Sequence, residues 1–116
     1  MSGETTTMRM IQLALSKARC RLWRNNIGVA THGVVKVVYG LATGSGDLIG
    51  FTEVTITPEM VGKSIAVFTS IEVKTAKKYA TAPQRAWAAM VRCHGGFAGT
   101  ARSVDDAVRI LNGEKL

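Results

Sequence analysis

The chain has no apolar run approaching the ~20 residues that a membrane-spanning helix needs. Its opening stretch, Met1 to Thr7, is polar and lacks the apolar middle of a secretory signal. Two cysteines, Cys20 and Cys93, are too few for a disulfide framework. Together with His32 and His94 they also lack the paired spacing of a structural zinc site, so packed thiols are the simpler expectation. These absences predict a reduced, cytoplasmic protein with no membrane association. Aromatics are few (3 Phe, 2 Trp and 2 Tyr) and do not interleave with the basic residues. That argues against a stacking platform for unpaired bases. Acidic residues are scarce too, 8 against 15 Lys and Arg. No repeat and no linker breaks the chain, and nothing calls for an organic cofactor.

What remains is one domain's worth of sequence, 116 residues with 47% hydrophobic content and 12 glycines. That suffices for a globular core but not for two. The expected organisation is a flexible N-terminus over 1–7 and a single domain over 8–116. The net charge of +7 points to a polyanionic partner. Solubility alone is the plainer alternative.

Apolar residues at Met8, Ile11, Leu15 and Ala18 predict an amphipathic helix from Met8 to about Arg19, with Gln12, Ser16 and Arg19 on an adjoining stripe. Short strands are expected at Leu22–Asn25 and Val34–Tyr39, and another at Leu48–Ile56. The longest strand candidate is Ile65–Thr75. Alternation divides it into an apolar face (Ile65, Val67, Ile71, Val73) and a face with Phe68, Ser70, Glu72 and Lys74. The first is expected to face the core, the second a cleft. Pro83 opens a helix to about His94, Gly95-Gly96 stops it, Phe97–Ala101 forms a last strand, and Ser103 caps a terminal helix. This order is α/β, with helices flanking a mixed central β-sheet.

Glu72-Val73-Lys74 carries the chemistry. Two residues apart on a strand, the carboxylate and the amine share a side. With a second carboxylate they can hold a divalent metal and position a water, as phosphodiester hydrolysis requires. Alone, the tripeptide reads more readily as a solvated strand end. Gly44-Ser45-Gly46-Asp47 adds a carboxylate after backbone able to approach a phosphate closely. Its alternative is an ordinary tight turn. Gln84 starts the stripe continued by Trp87, Ala88 and Val91, which aims its amide inward; satisfying the helix N-terminus is the other reading.

Gly44-Ser45-Gly46-Asp47-Leu48-Ile49-Gly50, Glu72-Val73-Lys74-Thr75, Pro83-Gln84 and Gly95-Gly96, in that order, resemble the virus-type replication-repair nuclease family. Leu22 to Asn26 and Ala101-Arg102-Ser103 extend the likeness over roughly residues 10–110. The family belongs to the PD-(D/E)xK superfamily, so the resemblance implies a restriction-endonuclease-like core. The length is similar to the standalone phage or bacterial type, which implies a phage- or prophage-encoded protein acting in a bacterial host.

The resemblance implies that Asp47 and Glu72 are metal-binding carboxylates, with the Val73 backbone carbonyl as a further ligand of Mg²⁺ or Mn²⁺. Lys74 would orient the attacking water and stabilise developing charge, rather than act as a base beside two carboxylates. Gln84 matches the family's glutamine and would hold water or the scissile phosphate. Many members carry a metal-binding glutamate on the first helix; here Gln12 takes that position as a candidate ligand, but a neutral amide binds a metal only weakly through its oxygen or acts through water, which favours one metal over two. Arg21, Arg24, Asn25, Lys36, Ser45, Lys77 and Lys78 are candidate DNA contacts, of a kind that sets affinity rather than sequence preference. The implied activity is a structure-selective DNA endonuclease acting on branched DNA such as four-way junctions. Symmetric cutting of a junction needs two sites about a twofold axis, hence a homodimer. A catalytically inactive or partner-dependent basic DNA-binding module is the rival reading.

Overall fold

Three short strand pairs and three helices make up the computed structural model, which describes residues 3–75 and 77–116. In order they are α1 (Gly3–Leu15), β1 (Cys20–Arg24), β2 (Gly28–His32), β3 (Val35–Tyr39), β4 (Leu48–Thr52), a 3-10 turn at Pro58–Met60, β5 (Thr69–Val73), α2 (Ala82–Cys93), β6 (Phe97–Ala101) and α3 (Val104–Leu111). The chain is therefore α/β. Its contacts cluster into two compact units, Met1–Val54 and Thr55–Leu116, each described by itself below. No helix among the described residues is long and apolar enough to cross a membrane.

In the first unit, α1 begins at Gly3 and takes in most of the stretch expected to be flexible. It also ends four residues early. The chain must reverse before β1 can pair, and Ala18 does so with a positive φ of 46°. Gln12 Nε2 and Ser16 Oγ, on the predicted side stripe, both donate to the Leu22 carbonyl, at 3.1 and 3.4 Å. Ser16 Oγ also accepts from Leu22 N–H at 3.0 Å, which ties the helix to β1. Strand β1 pairs antiparallel with β4, Leu22 opposite Gly50 and Trp23 opposite Ile49. Trp23 and Phe51 meet with ring centroids 5.9 Å apart.

Strands β2 and β3 form an antiparallel hairpin in which His32 faces Val35. Gly33 turns the chain at φ 63°, a conformation that costs glycine little. Strand β2 was not expected, because Asn25-Asn26 and Gly28 read as turn residues. Gly28 is instead the first residue of the ladder, opposite Tyr39.

The second unit is a β5–α2–β6 crossover with parallel strands, Glu72 opposite Thr100 and Val73 opposite Ala101. Thr81 caps α2, Pro83 lies in its first turn, and the chain leaves through Gly95 at φ 93°. Gly96 must be glycine for another reason: a Cβ there would sit 2.7 Å from Val91 Cγ1 and 2.8 Å from the Phe68 carbonyl. Ser103 Oγ accepts from Asp106 N–H at 3.1 Å and caps α3, as the spacing predicts. Val91, Ala98, Ala101 and Ile110 form the buried core where α2 and α3 meet β6.

Among the described residues the strands pair as three two-stranded sheets, two antiparallel and one parallel, and the mixed central sheet expected from the sequence is not among them. Each strand spans only five residues and finds a single partner. Strand β5 is shorter than the expected Ile65–Thr75, and the apolar side expected to face the core is largely exposed. Ile65 and Val73 are 54% and 75% exposed, whereas α2 covers the side with Phe68, Ser70 and Glu72. Polar groups on that side are matched by donors on the helix, so covering it leaves no hydrogen-bonding loss.

Candidate active site

Strand β5 and the first turn of α2 build one polar cluster. Thr81-Ala82-Pro83-Gln84 is a capping box, in which the N-cap residue and the third helical residue satisfy each other's free N–H groups. Gln84 N–H donates to Thr81 Oγ1 at 3.3 Å, and Thr81 N–H donates to Gln84 Oε1 at 2.9 Å. The other end of the same amide, Nε2, donates to Glu72 Oε1 at 3.0 Å. Gln84 therefore satisfies the helix terminus, which was the alternative reading for it, and its amide also reaches Glu72, which was not foreseen.

Lys74 Nζ lies 3.5 Å from the same Glu72 oxygen. Its side chain is 17% exposed against 40% for Glu72, so the cation is the more sheltered partner. The Lys74 backbone N–H donates to Ala101 O at 3.1 Å, which extends the parallel ladder past Val73 and holds the lysine in strand geometry. One turn along α2, Trp87 Nε1 donates to Ser70 Oγ at 2.8 Å, and its ring meets Phe68 edge-on at 6.4 Å. These pairs align strand and helix. Ser70, Glu72, Pro83, Gln84, Trp87 and Thr100 border an open hollow of about 250 Å³.

A second hollow, of about 400 Å³, lies in the first unit and is bordered by Arg24, Asn25, Tyr39 and Asp47, among others. Asn25 fastens the glycine-rich loop beside it. Its Nδ2 donates to Ser45 Oγ at 2.8 Å and to Gly46 O at 3.0 Å, while its Oδ1 accepts from Leu41 N–H at 3.2 Å. Asn25 N–H donates to Asp47 O at 2.8 Å, and the Asp47 side chain is exposed. Gly44 makes the turn at φ 88°.

The expected residues thus gather in two groups. Glu72, Lys74 and Gln84 meet in the second unit, with Val73 between the first two on β5. Arg24, Asn25 and Asp47 share a hollow in the first, with Ser45 bound to Asn25. Two other candidates are engaged locally. Gln12 gives its amide N–H to Leu22, and Arg21 Nη1 donates to the carbonyls of Ala18 and Cys20 at 2.9 and 2.8 Å, bracing the positive-φ turn. Lys36, Lys77 and Lys78 are exposed.

Sequence reasoning missed Thr81, although its spacing to Gln84 is the capping-box pattern. It also missed Arg102, whose guanidinium lies 5.4 Å from the Tyr79 ring centroid and donates through Nη2 to the Lys78 carbonyl. These contacts brace the loop between β5 and α2, and no local pattern announces a pairing 23 residues apart in number from Tyr79 to Arg102.

Among the described residues no three His, Cys, Asp or Glu side chains gather as a metal-binding group. The donor chemistry around Glu72 nevertheless fits a hard divalent cation that keeps several waters. Gln84 and Lys74 both approach Oε1 of the carboxylate, and Ser70 and Thr100 border the same hollow. The model of the VRR-NUC domain family matches residues 6–105 of the 116-residue chain. No curated protein and no solved structure gives a significant match.

Proposed function

The chain belongs to the VRR-NUC domain family, nucleases that act on DNA, and from that premise we propose a metal-dependent, structure-selective endonuclease that cuts branched DNA as a homodimer. The observation that carries this reading is the Glu72 carboxylate held by both Lys74 and Gln84 at the edge of an open hollow. Family membership supports a PD-(D/E)xK core with Asp47, Glu72 and the Val73 carbonyl as ligands of Mg²⁺ or Mn²⁺. Such an ion, when bound, supplies Lewis-acid activation of water and neutralises charge on the phosphate.

The chain's own residues do the remaining work. Glu72 contributes a carboxylate whose rotation is restrained by two donors. Lys74 brings a sheltered positive charge to the side of the strand where the phosphate's charge grows, and its value lies in being fixed before the reaction starts. Gln84 orients Glu72. Gln12 is neutral and its N–H is spent on Leu22, which supports a one-metal site. Arg24, Lys36, Lys77 and Lys78 provide phosphate contacts that are blind to sequence, in keeping with recognition of DNA shape.

The test is cleavage of a labelled four-way junction beside linear duplex of the same sequence, with Mg²⁺, Mn²⁺ and EDTA lanes and a Glu72→Ala control. Metal-dependent cutting of the junction, absent in the variant, is the expected result. Tight binding with no cutting in any lane would replace this reading with the inactive or partner-dependent DNA-binding module, which the Gln12 substitution favours.

A further inference from the structure

Resting on that nuclease reading, we propose that Thr81 is a positioning residue: by capping α2 it fixes the orientation of the Gln84 amide and, through it, the Glu72 oxygen offered to the metal. A carboxamide has one accepting and one donating end, and the two differ little in shape. Only its neighbours decide which end faces a given partner. Here the accepting end is anchored on Thr81 N–H at 2.9 Å, and the donating end is left for Glu72 Oε1 at 3.0 Å. The Thr81 hydroxyl completes the arrangement by accepting Gln84 N–H at 3.3 Å, which sets the backbone from which the amide projects.

A rotated amide would turn its oxygen toward the carboxylate, and two acceptors repel. Glu72 would then swing, with Lys74 as its remaining partner in the cluster. The capping box thus holds the Gln84 amide so that its N–H donates to the same Glu72 oxygen that Lys74 approaches. Thr81 itself borders neither hollow and acts only through Gln84. Groups that orient a metal ligand from behind commonly alter metal affinity or activity by ten- to a hundredfold when removed.

The experiment measures Mn²⁺ affinity directly, by electron paramagnetic resonance of the free ion, alongside kcat and KM on the junction. Thr81→Ala keeps the backbone N–H but loses the hydroxyl that holds Gln84 N–H in place. It is expected to weaken Mn²⁺ binding and lower kcat by about tenfold each, with KM for DNA within about twofold of wild type. Thr81→Ser keeps the hydroxyl and should restore both. Ser103→Ala removes the equivalent cap from α3, a hydroxyl that accepts from Asp106 N–H and borders neither hollow, and controls for lost stability: it should lower the melting temperature without changing Mn²⁺ affinity. If Thr81→Ala unfolds, Gln84→Glu keeps a capping-box residue but sets an acceptor against Glu72, and should show the same loss. Wild-type affinity and kcat in Thr81→Ala or Gln84→Glu would overturn the role of Thr81, as would an equal loss in Ser103→Ala, and in each case the nuclease reading would stand. A wild-type protein that neither binds Mn²⁺ nor cuts the junction would overturn both.

Discussion

At the scale of single residues, the site depends on where donors are spent. Glu72 accepts from Gln84 and lies beside Lys74, so removing its carboxylate frees two groups and deletes a negative charge near the phosphate. Glu72→Ala is therefore expected to lose cleavage by a hundredfold or more. It should retain or tighten DNA binding, and single-turnover cleavage with a binding titration would read the two effects apart. Lys74→Arg keeps the charge, but a planar fork replaces a compact ammonium in a position with 17% exposure. We expect it to recover little of the activity lost in Lys74→Ala. Gln12 makes the opposite case. Restoring a glutamate there would set a carboxylate against the Leu22 carbonyl that now receives the amide N–H at 3.1 Å. Gln12→Glu should cost about 1–3 kcal/mol of stability, the usual penalty for opposing an acceptor with an acceptor. A denaturant melt and a Mn²⁺ stoichiometry that stays at one would bear this out; a second bound ion would show that the position is a ligand after all.

Among elements, the decisive contact is α2 on β5. Trp87 contributes both a ring against Phe68 and an N–H to Ser70 Oγ. Trp87→Phe keeps most of the ring and removes the hydrogen bond, so it should destabilise by about 1 kcal/mol plus the packing lost with the smaller ring. Thermal melts would measure it, and an unchanged midpoint would mean the bond is dispensable. The same interface explains what was legible in the sequence. Helix ends are written locally: Thr81 with Gln84, Ser103 with Asp106 and Gly95-Gly96 lie within a few residues of the features they create, and α2, β6 and α3 are close to expectation. The β5 alternation correctly divides the strand into two faces. It does not say which face a helix will cover, because that depends on Trp87 and Gln84 meeting Ser70 and Glu72 across the fold. Strand β2 was hidden for a similar reason: Gly28 is a turn signal on its own, and only pairing with Tyr39 makes it a strand residue. Motif order identified Glu72, Lys74 and Gln84 as partners, whereas the local engagements of Gln12 and Arg21 emerge only from the positions of the Leu22, Ala18 and Cys20 carbonyls.

For the molecule as a whole, charge and exposed apolar surface make separate demands. With a net charge of +7, binding to DNA should weaken steeply with salt. Each phosphate contact contributes a slope of about −0.9 on a log–log plot, so replacing Lys77 and Lys78 together by alanine should flatten that slope by roughly two units. The turnover of bound junction should change little, because neither side chain belongs to the Glu72 cluster. Apolar surface bears on the proposed homodimer. Register puts Ala30, Val35, Val37 and Tyr39 on one side of the β2–β3 hairpin, opposite the side that carries Lys36. Val35, Val37 and Tyr39 are each about half exposed, and α3 leaves Val104 and Val108 80% and 50% exposed. Either surface offers exposed apolar residues of the kind a twofold interface buries. The hairpin is the better candidate, since its Lys36 side would stay available for phosphate while the other side pairs. Val35→Gln with Val37→Gln removes apolar character from exposed positions without altering charge. Sedimentation of wild-type protein should give twice the 12.4 kDa chain mass, and the double variant should sediment as a single chain. Its predicted enzymatic signature is specific: with only one site per particle, it should nick junctions on one strand instead of resolving them by paired cuts. A variant that stays dimeric would shift the interface to α3, and a wild type that sediments as a monomer under cleavage conditions would remove the twofold argument entirely.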